Sequence, residues 1–260
     1  MTASQANMFG GEWTEKKLRI LQGYLQAYTT ALKNKPFHLV YIDAFAGSGY
    51  RQSKTLEQDL PLFDSDVESE AYDFLDGSAR KALQIERPFD EYVFVEKSAE
   101  RVQSLENLKD DFPDLASRIA IVQNDCNEYV PDICTKWDWE LTRAVIFLDP
   151  FGMQVKWETL EAIARTGTID LWALFPINAV NRLLRRNGKL PQSWRDRLCE
   201  VFGTEGWEET FYEKPEGELF KTGVSEKVAD WDRIRDFYLE RLRSIFPCVA
   251  KNARYLKRKG

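Results

Sequence analysis

Four acidic residues lie at the ends of apolar, strand-like runs, and of all residues in this sequence they are the best placed to do chemistry. The runs FHLVYID, EYVFVEK, RIAIVQND and RAVIFLD bring the chain to Asp43, Glu96, Asp125 and Asp149. In open α/β sheets, ligands bind beyond the carboxyl ends of the strands. Any one of these acids could simply cap a helix, but four at successive strand ends predict a ligand site.

A turn of small residues follows the first run, in Phe45-Ala46-Gly47-Ser48-Gly49. Glycines at such a position let the backbone approach a ligand closely. The dinucleotide fingerprint beginning at Gly47 would require glycine at position 52, where the sequence has Gln52, and the phosphate loop G-x-x-x-x-G-K-[ST] is absent. An oxidoreductase or a kinase that cradles phosphates is therefore disfavoured.

Acids and glycines without a phosphate-binding motif suit a nucleoside that carries a cationic substituent, and S-adenosylmethionine is such a ligand. Carboxylates such as Asp43 stabilise its sulfonium and ammonium groups, whereas they repel phosphates. We expect Glu96 to accept hydrogen bonds from the ribose hydroxyls. Asp125, followed by Cys126 in NDCN, is placed beside the adenine. The predicted cofactor-binding residues are Asp43, Phe45, Ala46, Gly47, Gly49, Glu96, Asp125 and Cys126.

The sequence Asp149-Pro150-Phe151-Gly152 predicts the site that holds the methyl acceptor. An enzyme that methylates an exocyclic amine needs an acceptor for the amine hydrogens and a flat ring that holds the base. Asp149, the carbonyl group of Pro150 and the Phe151 ring supply these parts, and a base in a duplex would have to leave it. Asp-Pro is also a common turn, so the motif gains its meaning from its place after the fourth strand.

Alternation of apolar strands with helical patterns predicts an α/β fold with a doubly wound, mostly parallel sheet. An amphipathic helix precedes the first strand, with Thr14 as its N-cap, and Trp13 with Lys16 or Lys17 is expected over the cofactor. Eight acids and no basic residue occupy positions 57–76; the segment of about 50–75 is interpreted as an acidic insertion. We expect a helical segment over 1–36, the core over 37–176, and a helical, basic segment over 177–260 that completes the same domain.

Composition excludes several classes of protein. The 260 residues carry a net charge of -6 and contain no apolar stretch of the roughly 18 residues that a membrane span requires. No secretion signal is recognisable, so we expect a cytoplasmic protein. The four cysteines are scattered and His38 is the single histidine, so we expect no metal site.

Two stretches of the acidic chain are basic, and the closing run KNARYLKRKG, with five basic residues, is the second of them. NRLLRRNGKLPQSWRDR holds six basic residues and one acid. Such a run is often a solvated face; the alternative is a surface that contacts phosphates. In that alternative Trp194 is a stacking platform. The predicted nucleic-acid contacts are Arg182, Arg185, Arg186 and Trp194.

Six motifs in this order resemble the three-Cys-motif partner (TcmP) family: WTEKKLRIL, YIDAFAGSGY, DGSARKAL, YVFVEK, NDCN and FLDPFGM. The resemblance spans about residues 13–211. It implies a Rossmann-like class I methyltransferase fold that uses S-adenosylmethionine, with Gly47 and Gly49 at the cofactor, Glu96 on the ribose, Asp125 near adenine, and residues 149–151 at the acceptor. It also implies a cysteine-rich partner protein similar to radical S-adenosylmethionine enzymes.

The acceptor stays open at this point. The motif D-P-F-G is similar to the one that also occurs in tRNA guanosine N2-methyltransferases, whereas DNA amino-methyltransferases more often carry D-P-P-Y. The expected function is methyl transfer to a nucleobase amine in RNA or DNA; the alternative is a non-catalytic subunit that binds a partner protein and nucleic acid. The closing run PCVAKNARYLKRKG resembles the start of one more strand. Either this fold's last strand is missing or another chain supplies it, and an exposed edge would favour an oligomer.

Overall fold

The computed structural model describes residues 8–48, 77–213 and 226–250, with side chains from residue 16 onward. Gly49, the acidic insertion, the closing run from residue 251 and the side chain of Trp13 lie outside the described residues. Backbone contacts divide the described chain into two compact units. Of the described residues, the first unit comprises those up to 149 together with 168–173, and the second comprises 150–167, 174–213 and 226–250.

The first unit is built on a five-stranded parallel sheet. Its strands are β1 (His38–Asp43), β2 (Glu91–Glu96), β3 (Ile119–Gln123), β4 (Thr142–Leu148) and β5 (Ile169–Ala173). Their order across the sheet is β3-β2-β1-β4-β5, which is the order of a doubly wound fold. The predicted α/β class with a parallel sheet flanked by helices is confirmed.

The central strand shows why the sequence reads as nearly continuous apolar runs. β1 pairs with β2 on one side and β4 on the other, and five of its six residues are buried. A parallel strand with neighbours on both edges has both faces covered, so alternation of polar and apolar residues disappears. The aromatic rings of Tyr41, Tyr92 and Phe94 pack together on this sheet with Phe89.

Helix α1 (Met8–Leu32) packs through its apolar stripe, with Leu18, Leu21 and Leu25 buried. Farther along, the Tyr24 ring lies 4.9 Å from that of Trp172 on β5. The helix begins at Met8, so the prediction of Thr14 as its N-cap is wrong. Continuous helical hydrogen bonding carries the chain through that position, and a threonine inside a helix caps nothing.

The other helices of the first unit connect the strands. Helix α2 is described at residues 77–83, and α3 (Ala99–Asp111), a 3₁₀ helix (Pro113–Arg118) and α4 (Cys126–Lys136) follow. Ser98 caps α3 by accepting a hydrogen bond from the Arg101 amide. The sequence DGSARKALQI suggests Ser78 as the cap of this helix, but Ser78 lies inside α2, so that suggestion is wrong.

The second unit is mainly helical. It contains α5 (Trp157–Thr166), α6 (Ile177–Leu183), α7 (Gln192–Phe202), α8 (Trp207–Phe211), a two-stranded antiparallel ribbon of β6 (Tyr212–Glu213) and β7 (Glu226–Lys227), and α9 (Trp231–Ile245). Rings of Phe175, Phe202, Phe211 and Tyr238 form its core. Gly167 ends α5 in the left-handed conformation and Asp230 caps α9. The described part of the predicted C-terminal segment is mainly helical, and the predicted domain bounds stay predictions.

No helix within the described ranges combines the length and the apolar character needed to cross a membrane.

Candidate ligand site at the carboxyl edge of the sheet

The point at which the strand order reverses lies between β1 and β4. From β1 the chain proceeds to β2 and then β3 on one side, and β4 lies on the opposite side of β1. Ligands in doubly wound folds bind at this switch point, outside the carboxyl ends of the strands. Asp43 is the last residue of β1, and Asp149 comes directly after β4. The two acids therefore end neighbouring strands at the switch point.

Asp43 is fully buried and held by the chain's own donors. Ser78 donates its hydroxyl to Oδ2 over 2.7 Å, and the Phe45 amide donates to Oδ1 over 3.3 Å. Burial raises the pKa of Asp43 to about 7; the hydrogen bonds oppose that rise, and the charge of Glu96 adds to it. Because the side chain is dehydrated and fixed, Asp43 sets the shape and charge of the turn that follows.

The glycine turn is tied to the ends of β2 and β4 by backbone hydrogen bonds. Ala44 donates to the Phe147 carbonyl and Ala46 to the Val95 carbonyl, each over 3.0 Å. Gly47 has φ of 64° and donates to Glu96 Oε2 over 3.1 Å. A residue with a side chain would be strained at this φ. The glycine predicted at the cofactor is thus required by the local backbone.

Glu96 links the turn to helix α3. Its second oxygen accepts the Ser98 amide over 2.8 Å, and Arg101 Nη1 lies 3.7 Å from that oxygen. The side chain is 8% exposed. A carboxylate has about four acceptor positions, so two backbone donors leave capacity for a ligand's hydroxyl groups.

Asp125 has the role of a helix cap. Its Oδ1 accepts the Asn127 amide over 2.8 Å, which begins α4, and Lys97 Nζ lies 3.2 Å from Oδ2. Although partial burial alone would raise its pKa, these hydrogen bonds and the Lys97 charge hold the pKa of Asp125 below its usual range. Cys126 follows as a buried residue. Burial, with the charges of Asp125 and Asp43, raises the pKa of the Cys126 thiol, so it stays neutral.

Asp149 differs from the other three acids. Its Oδ2 atom is buried and accepts no hydrogen bond from any residue that the structure describes. Burial raises the pKa of Asp149 to about 7, while the ammonium group of Lys17 lowers it and Asp43 raises it. A buried carboxylate oxygen without a donor costs free energy, on the order of 1 to 3 kcal/mol. Such an atom is where a donor from a ligand would be most stabilising.

The chain passes from the first unit to the second between Asp149 and Pro150. Within the second unit, the Phe151 amide donates to Gln154 Oε1 over 3.0 Å. The predicted nucleic-acid contacts Arg182, Arg185, Arg186 and Trp194 also belong to the second unit. The structure thus brings Asp43, Phe45, Ala46, Gly47, Glu96, Asp125, Cys126 and Asp149 to one sheet edge. Gly49 lies outside the described residues, and Pro150, Phe151 and the predicted nucleic-acid contacts belong to the second unit.

Sequence reasoning missed two contributors to this edge. Ser78 was assigned to a helix cap, yet it donates to Asp43 from 35 residues away. Arg101 was not considered, although its place three residues after Ser98, in the first turn of the helix that follows β2, would have put it near the end of that strand. Lys17, expected over the cofactor, is close enough to Asp149 to influence its pKa.

The comparisons with known proteins are sparse. No protein-family model matches the chain, and no curated protein matches it. A search of solved structures finds a putative methyltransferase, yhhF, from Escherichia coli, with a TM-score of 0.30 and 14% identity. The match covers 57% of this chain and 63% of the other, so it spans less than two thirds of that protein. The assignment to the TcmP family stays a prediction.

Proposed function

We propose that this protein is an S-adenosylmethionine-dependent methyltransferase that acts on an exocyclic amine of a nucleobase in RNA or DNA. The observation that carries the proposal is the pair of buried acids at the switch point, of which Asp149 has a carboxylate oxygen that receives no donor from the described part of the chain. That oxygen suits the N–H group of an amine, since a charged acceptor in a dry environment binds a donor strongly.

The residues of the edge fit the proposed cofactor. Glu96 would accept the ribose hydroxyls, Asp125 the adenine amine, and Asp43 with Gly47 would lie along the amino-acid portion. The amides of Phe45, Ala46 and Gly47 donate to Asp43, the Val95 carbonyl and Glu96, so these three are not available to form a phosphate nest. S-adenosylmethionine supplies an electrophilic methyl group on a cationic sulfur.

Within this proposal Asp149 orients the acceptor. By accepting an amine hydrogen, its carboxylate directs the nitrogen lone pair toward the methyl group, and correct alignment is a large part of catalysis. When the nitrogen gains a methyl group it must lose a proton. A carboxylate with a pKa of about 7 takes that proton more readily than an exposed aspartate. Lys17 favours the charged form that both roles need. The stacking role of Phe151 and the carbonyl role of Pro150 stay predictions.

The test is calorimetric titration of the purified protein with S-adenosylmethionine and S-adenosylhomocysteine. We expect binding by the wild type and its loss in Glu96→Ala, with Glu96→Gln as a variant that keeps size and removes charge. Glu106→Ala is the matched control, because Glu106 is an exposed acid that pairs with Lys109 on α3. Wild-type binding that Glu96→Ala and Glu96→Gln both retain would contradict the assignment of the ribose site.

A second candidate is a non-catalytic subunit that keeps a methyltransferase-like fold to bind a partner protein and nucleic acid. It is favoured by the hydrogen bonds of Asp43, Glu96 and Asp125, whose carboxylates all accept backbone donors of the same chain. In this case neither cofactor nor its demethylated product binds the pure protein. A search for a cysteine-rich partner by co-purification would then follow.

A further inference from the structure

The basic segment of the second unit contains two kinds of cation. Arg195 forms an ion pair with Glu208, and Arg197 pairs with Glu200 over 2.9 Å. Arg185, Arg186 and Lys189 are exposed and make no ion pair with any described residue. The acids nearby therefore neutralise some cations of the segment and leave a cluster of positive charge.

One of these cations stacks on an aromatic ring. The Arg185 guanidinium carbon lies 4.8 Å from the centre of the Trp194 ring, within the range of a cation–π contact. The turn between them is fixed by Gly188, which has φ of 64° and donates to the Arg185 carbonyl over 3.2 Å. Trp194 itself stays partly exposed. Guanidinium and indole together form a flat, cationic platform.

Arg186, the neighbour of Arg185 in the chain, forms a second pair of cations with Lys227. Lys227 on β7 donates its backbone N–H to the Arg186 carbonyl over 2.9 Å. Its ammonium group donates to Asn181 Oδ1 over 2.7 Å, so its position is fixed by a neutral partner. Burial lowers the pKa of Lys227, and the charge of Arg186 lowers it further. No described acid forms an ion pair with Arg186 or Lys227. Two cations held close together repel each other, and an anion bound between them relieves that repulsion.

We propose that Arg185, Trp194, Arg186 and Lys227 form a binding surface for single-stranded nucleic acid. The cations contact phosphates, while bases stack on the Trp194 ring and the Arg185 plane. A positive surface alone would suit any polyanion; the stacked ring favours a strand whose bases are exposed. This inference rests on the proposed function in one respect, since it names the form in which the nucleobase substrate is delivered.

The test is fluorescence anisotropy of the full chain with a labelled single-stranded RNA of about 16 nucleotides, the upper end of known site sizes. A DNA strand and a duplex of the same sequence serve as comparisons. The variants are Arg185→Gln/Arg186→Gln, Lys227→Gln and Trp194→Leu. Arg197→Gln is the matched control, because it removes one exposed positive charge that is already paired.

We expect the wild type to bind RNA or DNA strands more tightly than the duplex. Each lost phosphate contact should reduce the slope of log K against log salt by about 0.7, so the Arg185→Gln/Arg186→Gln variant loses about 1.4. Trp194→Leu should weaken binding about fivefold or more. Arg197→Gln should behave as the wild type.

Several results would overturn the proposal: no binding by the wild type at low salt, equal affinity for strand and duplex, equal slopes for the double variant and Arg197→Gln, or displacement of RNA by poly-glutamate at equal charge concentration. The assay needs no cofactor. The RNA-binding result can therefore be interpreted even if the protein transfers no methyl group. Likewise, the cofactor titration can be interpreted even if the protein binds no RNA.

Discussion

The acidic edge of the first unit and the basic surface of the second both gather like charges, but the surroundings of these charges differ. Asp43 is 0% exposed and Glu96 is 7% exposed. Their oxygens accept the backbone amides of Phe45, Gly47 and Ser98. The guanidinium groups of Arg185 and Arg186 stay exposed to solvent and lack acidic partners among the described residues.

The two regions differ because the charges of the acidic edge are buried and those of the basic surface are exposed. A buried charge is costly unless the protein fixes its partners, so the acidic edge has a defined geometry. An exposed charge costs little, but salt screens it and geometry constrains it weakly. We therefore expect changes at the acidic edge to have large effects that salt hardly alters, and changes at the basic surface to have small effects that salt removes.

The largest effect is expected for Asp149→Asn. The amide oxygen can still accept an amine hydrogen, but the side chain is neutral and cannot take the proton that the nitrogen loses, so methyl transfer should fall by at least about 100-fold. Binding of S-adenosylmethionine should persist. Transfer of a labelled methyl group to RNA and calorimetric titration measure the two quantities.

Asp132→Asn is the control, because Asp132 pairs with Lys136 on the exposed side of α4.

The wild-type rate of methyl transfer should rise with pH through about 7, the pKa of Asp149, as its carboxylate ionises. The rate is measured over about one pH unit on either side of this pKa, from about pH 6 to about pH 8. A rate that does not change over this range would exclude Asp149 as the proton acceptor.

The next effect is on stability. Ser78→Ala removes the hydroxyl that Asp43 accepts, and a hydrogen bond to a buried charge contributes about 1.5 to 3 kcal/mol. Asp43 has a folded pKa of about 7, above its ordinary value of 3.8. Folding is therefore destabilised as pH rises from the lower value to the higher one. Without Ser78 the folded pKa rises further, so the loss should be larger at alkaline than at acidic pH.

Urea unfolding below pH 3.8 and above the folded pKa of about 7 measures this loss. Ser104→Ala removes an exposed hydroxyl that donates within α3, and it should change the free energy of unfolding by less than about 0.5 kcal/mol. Equal losses in the Ser78→Ala variant at the two pH values would show that Asp43 does not titrate as described.

A smaller effect is expected at the glycine turn. Gly47→Ala forces a side chain into the left-handed conformation, which costs roughly 1 to 2 kcal/mol. The free energy of unfolding should fall by that amount and cofactor affinity should fall with it. Gly47→Asn is the informative partner, since asparagine tolerates this conformation. If Gly47→Asn were as destabilising as Gly47→Ala, contacts of the side chain, and not backbone strain, would explain the glycine.

The smallest effect should come from Arg186→Gln. Loss of one phosphate contact weakens RNA binding severalfold at low salt, and the difference from wild type should shrink as salt increases. The Asp149→Asn defect in methyl transfer, measured at saturating RNA, should be the same at both salt concentrations. A salt-independent effect of Arg186→Gln would remove the distinction between the two regions.

Much of the fold follows from local sequence. Apolar runs bounded by acids predicted β1, β2 and β4 and the places at which they end, because a buried parallel strand needs apolar residues on both faces. The run VKWETLEAIARTG predicts a helix that ends at Gly167, and α5 ends there, since caps act on their neighbours. The acids at the strand ends were therefore recognisable before the sheet was known.

The tertiary structure decided how these acids differ. Strand pairing joins β1 to β4 across about 100 residues, and burial then depends on packing that no local pattern records. Asp43 accepts a hydrogen bond from the Ser78 hydroxyl, and Asp125 forms an ion pair with Lys97. Asp149 Oδ2 accepts no hydrogen bond within the described chain. In the second unit, Lys227 lies beside Arg186 although 41 positions separate them. Composition and spacing located the charges, and only the folded chain determined which were dehydrated, which were paired and which stay available for a ligand.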